Sequence, residues 1–147
     1  MDNEMYNKYK EAKLSDELTQ MFTELIMEDE VTLKIFIYIG KRTGVAKEKE
    51  SVSIGATITD MTNDIMVNRP VKLKGKSKFK MTEAFLDRKR AERAVQSLLL
   101  TGLCYYEQVG KTKVIYCTGR GFDVLRIIYA QQKQLERNKT KSDYITN

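Results

Sequence analysis

The stretch Leu103 to Cys117 constrains this chain more than any other. Two apolar-rich runs, Leu103-Cys104-Tyr105-Tyr106 and Lys113-Val114-Ile115-Tyr116-Cys117, flank Gly110-Lys111. Aromatic and β-branched residues on both sides of a glycine predict a hairpin with a two-residue type II′ turn, whose first central residue needs positive φ. That register sets Tyr105 opposite Tyr116 and Cys104 opposite Cys117. Such aromatic pairs stabilise a ribbon by a few tenths to about 1 kcal/mol each. Gly110-Lys111-Thr112 also imitates the end of a phosphate-binding loop, but that loop requires glycine at position 105 and a strand-to-helix junction. Position 105 is Tyr and both flanks read as strand. A nucleotide loop is excluded.

Helical periodicity surrounds the hairpin. Before it, Ala91, Ala94, Val95, Leu98 and Leu99 form one buried stripe of a helix over 87–101, capped by Asp87 and stopped by Gly102. Arg88, Lys89, Arg93 and Gln96 project from the opposite face, with Arg90 at the flank. After it, Thr118 caps a helix over 119–137, with Val124, Leu125, Ile128 and Leu135 on one face. Two N-terminal helices are expected within 16–43. Ser15 caps 16–28, and Thr32 caps a nearly all-apolar, central helix from Leu33 to Thr43, with Gly44 as its stop. Lys-Glu-Lys-Glu at 47–50 reads as a loop, 51–57 as a short strand and 59–65 as a short helix.

Composition narrows the function. With 147 residues and one proline, one domain and one core are expected. No apolar run is long enough to span a membrane. The start, Met1-Asp2-Asn3-Glu4, resembles neither a secretory signal nor a transit peptide, so the cytoplasm is the expected compartment. There the two cysteines are expected to be thiols filling the core. The absence of histidine removes His-based catalysis and every His-containing metal site, and two cysteines alone cannot hold structural zinc. No motif calls for a cofactor; Gly119-Arg120-Gly121 lacks the third glycine of a dinucleotide fingerprint. A non-enzymatic role is expected.

Charge is segregated along the chain. Residues 1–68 hold 8 Lys/Arg against 13 Asp/Glu, net −5, whereas residues 69–147 hold 18 against 7, net +11. A surface evolved only for solubility need not sort its charge by half. A polyanion-binding face does, because Lys and Arg neutralise phosphates and release counterions. The densest part is the insertion 66–81, where Lys72, Lys74, Lys76, Lys78 and Lys80 join Arg69. Two short strands around Gly75, an extended phosphate-tracking arm, or a plain basic loop all fit this stretch.

The run LLLTGLCYY…VGKTKVIYCTGRGFDVL resembles the second half of winged helix-turn-helix domains of the MarR and PadR kinds. Those domains carry a leucine-rich recognition helix ending in Gly-Leu, a wing hairpin with Gly-Arg or Gly-Lys near its tip, then Tyr-x-Leu-Thr-x-x-Gly. Here the last pattern is Tyr116-Cys117-Thr118-Gly119-Arg120-Gly121, with Cys117 where leucine is usual. Plasmid segregation adaptors of the TubR kind share it. The resemblance covers about residues 84–135. It implies an α+β, mostly helical winged helix-turn-helix fold with a two-stranded wing at 103–117 and flanking N- and C-terminal helices. It implies double-stranded DNA as partner, with Arg88, Lys89, Arg90, Arg93 and Gln96 on the recognition helix, where arginine reads guanine and glutamine adenine. Lys111 and Lys113 then stand on the wing. The basic insertion sits where the usual short helix and tight turn would be.

The resemblance further implies a homodimer, paired through helices near 16–28 and 122–137, with Leu18, Phe22, Leu25, Leu125, Ile128 and Leu135 as interface residues unless they pack within one chain. A transcriptional repressor is the leading expectation. A plasmid or phage segregation or replication adaptor on repeated sites is the alternative, and a protein- or RNA-binding winged helix a third. The sequence specifies no effector ligand.

Overall fold

The computed structural model describes residues 1–48, 54–75 and 78–145. Its order is α1 (Asn3–Tyr9), α2 (Asp16–Glu28), α3 (Glu30–Glu48), α4 (Ile58–Asp64), β1 (Met66–Lys72), β2 (Phe79–Phe85), α5 (Arg88–Leu100), β3 (Cys104–Val109), β4 (Thr112–Cys117) and α6 (Gly119–Ile145). The class is α+β, with two separate two-stranded antiparallel sheets.

The core forms around α3. Ile35, Phe36 and Ile39 are wholly buried, and the helix packs on α2, α5, α6 and β4. Its apolar residues point in several directions because partners lie on several sides. Its ends differ from expectation. Thr32 is not the N-cap; the helix begins at Glu30, three residues before the expected Leu33 and directly after Asp29, whose extended backbone (φ −109°, ψ 106°) turns the chain out of α2. The Thr32 hydroxyl instead donates to the Asp29 carboxylate. Nor does Gly44 stop the helix, which continues to Glu48, so residues 47 and 48 are helical and not loop. Glycine ends a helix by adopting positive φ, and Gly44 does not do so.

Helix α2 spans the expected 16–28, with Ser15 Oγ accepting from Leu18 N. Leu125 and Ile128, expected as candidates for a dimer interface, lie in the core of the single chain. Helix α6 runs beyond residue 137 to Ile145.

In the hairpin β3–β4, Cys104 faces Cys117 and Tyr105 faces Tyr116, and Gly110 has φ +61°. Cys117 N donates to Thr43 Oγ1 of α3 and not across the ladder. Both cysteines are buried thiols, and burial pushes the Cys104 thiol well above its ordinary pKa. A third segment joins this sheet through one residue. Ala56 N donates to Ile115 O (2.9 Å) and Ile115 N to Ala56 O (2.8 Å). Of the expected strand 51–57, residues 51–53 lie outside the described residues.

The junction from β4 into α6 turns on Thr118. Its hydroxyl donates to the Gly102 carbonyl (2.8 Å), with Leu103 O at 3.0 Å, and accepts from Gly121 N at 3.0 Å. One side chain thereby caps α6 and ties it to the end of α5.

Candidate nucleic-acid interface

Helix α5 starts at Asp87, whose Oδ1 accepts from Arg90 N at 2.9 Å. Ala91, Ala94, Val95 and Leu98 are buried, and Arg88, Lys89, Arg93 and Gln96 are exposed. The first turn carries three cations and no acid. Cations there oppose the helix macrodipole, a cost offset in part by the Asp87 carboxylate at the N-cap and by Glu92 paired with Arg88.

Helix α4 and the hairpin β3–β4 both pack beside α5. Thr57 caps α4 in a capping box, Thr57 Oγ1 accepting from Asp60 N and Asp60 Oδ2 from Thr57 N. Arg42 of α3 fixes this corner, with Nη2 3.2 Å from Gly55 O and 3.4 Å from Asp60 Oδ2. A Cβ on Gly55 would lie 2.3 Å from Val114 Cγ1. Only glycine lets this segment approach β4 so closely, and that approach brings α4 beside α5.

On β3–β4, alternation places Cys104, Tyr106 and Gln108 on the core face with Cys117, Ile115 and Lys113. Toward the tip that face passes from core to solvent and overlooks α5. Lys113 Nζ lies 4.5 Å from the Tyr106 ring centroid, a cation–π contact that steadies it. The opposite face is covered by α1, with Tyr6 stacked on Tyr105 at 3.8 Å and Tyr105 on Tyr116 at 5.2 Å. The Met1 amine donates to Leu99 O at 2.8 Å in the last turn of α5. Helix α1 was not legible in sequence because it buries no side chain of its own.

Four of the expected site residues thereby come together. Arg88 and Gln96 of α5 and Lys111 and Lys113 of the β3–β4 hairpin line one cleft of about 530 Å³ together with Val95, Leu99, Ile115 and residues 57–59. Arg90 and Arg93 line a different, smaller hollow of about 220 Å³ with Asp29 and Thr32, on another side of α5. Lys89 is exposed on the first turn.

The cleft residues that the sequence reading missed include Glu92 and Gln108. Glu92 follows Arg88 by one helical turn, with its Oε1 3.1 Å from Arg88 Nε. Gln108 faces the cleft two residues before the wing's turn. The i,i+4 spacing was the available signal for Glu92; Gln108 required the register.

The basic insertion is the hairpin β1–β2, with Gly75 at φ +74°. It is longer than the expected 66–81, running to Phe85, and its base is fixed. Val67 and Leu86 are buried, Leu86 N donates to Ile65 O at 2.9 Å, and Lys34 Nζ of α3 donates to Met66 O at 2.7 Å. Beyond that base the side chains are exposed. Its lysines do not share a face. Lys72 pairs with Phe79 and Val71 with Lys80, so Lys72 and Lys74 lie on one face, Lys78 and Lys80 on the other. Lys76 lies outside the described residues.

Among the described residues no group of three His, Cys, Asp or Glu side chains could hold a metal ion, and no helix is long and apolar enough to cross a membrane. No protein-family model, curated protein or solved structure matches this chain.

Proposed function

We propose that this chain is a double-stranded DNA-binding protein built on a winged helix-turn-helix, acting by binding without catalysis, with repression by occlusion of a promoter as its use. The observation that carries the reading is the convergence of Arg88 and Gln96 with Lys111 and Lys113 on one cleft. Guanidinium and amide groups on a helix suit base edges, and lysines on an adjacent ribbon suit the flanking phosphates.

The order of elements supports it: helix α3, a one-residue strand at Ala56, α4, α5, then β3–β4. In this reading α5 lies in the major groove, β3–β4 is the wing, and β1–β2 is an arm inserted in the turn between α4 and α5. The protein works as a homodimer on a palindromic site, its half-sites about one helical turn apart.

Fluorescence anisotropy on the protein's own upstream DNA, repeated across a salt series, tests the reading. Arg88→Ala with Arg93→Ala is expected to lower affinity at least tenfold and to flatten the salt dependence. An unchanged affinity and slope would remove α5 from the interface.

A further inference from the structure

The arm β1–β2 carries more than charge. Cross-strand pairs set Met66, Pro70, Met81, Phe79 and Phe85 on one face, the face opposite buried Val67. Phe79 is 65% exposed, Met81 61% and Phe85 60%, a row of large apolar side chains in water on an arm anchored to the core at its base. Isolated exposed apolar residues need no account, but a row on one face of a projecting ribbon does.

Three features select the occupant of that face. The apolar face itself carries Lys72 and Lys74 with one acid, Glu83, paired with Asn68 between Met81 and Phe85, and Arg69, Lys78 and Lys80 stand on the other face, so the described arm holds five cations against one acid. A second copy of the arm would set like charges together, whereas a polyanion is attracted. The arm is also continuous with α5: only Leu86 and Asp87 separate Phe85 from Arg88. Finally, cations stand on both faces of the ribbon, so whichever face meets the bases, lysines remain to reach the backbones on either side. Apolar wedges of Phe, Met or Pro on a cationic frame unstack base steps and bend duplexes.

We propose that the β1–β2 arm is a DNA-deforming wedge: Phe79 and Met81 press between base pairs beside the site held by α5 and the wing, and bend the duplex. The inference rests on the DNA-binding reading above. The extended segment from Val67 to Leu73 reaches about 20 Å past the arm's base, enough to lie across a groove next to the one filled by α5.

The test is end-to-end fluorescence energy transfer on a doubly labelled duplex from the protein's upstream DNA, with binding followed separately by anisotropy. The wild type is expected to bend the duplex by about 20–90°. Phe79→Ser with Met81→Ser is expected to abolish most of the bend while duplex binding persists. Val71→Ser with Leu73→Ser, on the opposite face, is expected to keep it. All four side chains are exposed, and matched melting temperatures verify that each variant is folded. A wild type that binds without bending overturns the wedge alone, as does a bend unchanged in the Phe79/Met81 variant or equally lost in the control. A wild type that binds no duplex overturns the DNA-binding reading and the wedge with it.

Discussion

A Cβ placed on Gly121 would lie 2.3 Å from the carbonyl oxygen of Leu103 and 2.6 Å from Cys117 Sγ. This contact explains the Thr118-x-x-Gly121 spacing. Thr118 caps α6 and ties it to the Gly102-Leu103 turn, and the first turn of the helix must then pass against the backbone entering β3. Gly121→Ala is expected to destabilise the fold by about 1–3 kcal/mol through overpacking. Gly119→Ala, with open space around its Cβ position, is expected to change stability by under about 0.5 kcal/mol. Urea denaturation of the two variants checks the difference; equal midpoints would refute it.

Glu92 stands beside the arginine of the cleft. Its carboxylate pairs with Arg88 at 3.1 Å across an exposed helix turn, and such a pair contributes little to stability. It does compete with any anion that Arg88 could bind. Glu92→Gln is expected to tighten duplex binding roughly two- to fivefold, the effect of releasing an exposed charge pair, with stability nearly unchanged. Lys111→Ala is expected to weaken binding similarly on all sequences and to reduce the salt slope by about 1. Anisotropy titrations of both variants measure this; weaker binding by Glu92→Gln would remove Arg88 from contact with DNA.

The dimer proposal now has fewer residues to rest on, and more definite ones. Leu18, Met21 and Leu25 recur along the exposed side of α2 at 42%, 43% and 56% exposure, and Leu135 on α6 is 62% exposed. Helices α2 and α6 pack together, and Phe22 is partly buried against the core. Light scattering is expected to give twice the chain's 17.0 kDa for the wild type. Leu25→Glu with Leu135→Glu is expected to give the single-chain mass. A wild-type monomer at micromolar concentration would end the proposal.

What was legible in the sequence was whatever one element decides alone. The register of the β3–β4 hairpin followed from the alternation around Gly110, and the bounds of α2 from Ser15 and its apolar stripe. What was not legible depended on a second element. Gly44 had the residue type of a stop but keeps a helical φ within α3, a helix that packs on α2, α5 and α6 along its length, although a Cβ at Gly44 itself would meet open space. Ala56 joins the sheet by one bridge, which exists only because Gly55 has no side chain to strike Val114. The arm is the clearest case. Its lysines are all even-numbered and look like one face, yet the register pairs even with odd positions, as Lys72 with Phe79, and so divides them. The candidate site was legible as residue types. The division of Arg88 and Gln96 from Arg90 and Arg93 between two hollows needed α4 and the wing in place.

Alkaline pH probes the packing behind the wing and beside α4. Burial pushes Tyr105 up to about 12, and burial together with the hydrogen bond to Asp64 pushes Tyr38 up to about 12. Tyr38 Oη lies 2.5 Å from Asp64 Oδ2. In the unfolded chain both phenols titrate near 10, as ordinary tyrosines do, at about the reference value. A folded pKa raised above the unfolded one favours the protonated native state. Its contribution to stability is therefore whole below about pH 10 and is lost as pH rises through about 12. Urea midpoints are expected to begin falling as pH passes the ordinary thiol value of about 8.5, because the Cys104 thiol is also raised, and to fall further between about pH 10 and 12, with Tyr38 and Tyr105 among the late-titrating phenols at 295 nm. Tyr105→Phe keeps the stack on Tyr6 but removes the titrating hydroxyl, so it is expected to flatten part of that fall. A fall as steep in Tyr105→Phe as in the wild type would show that another group governs alkaline unfolding.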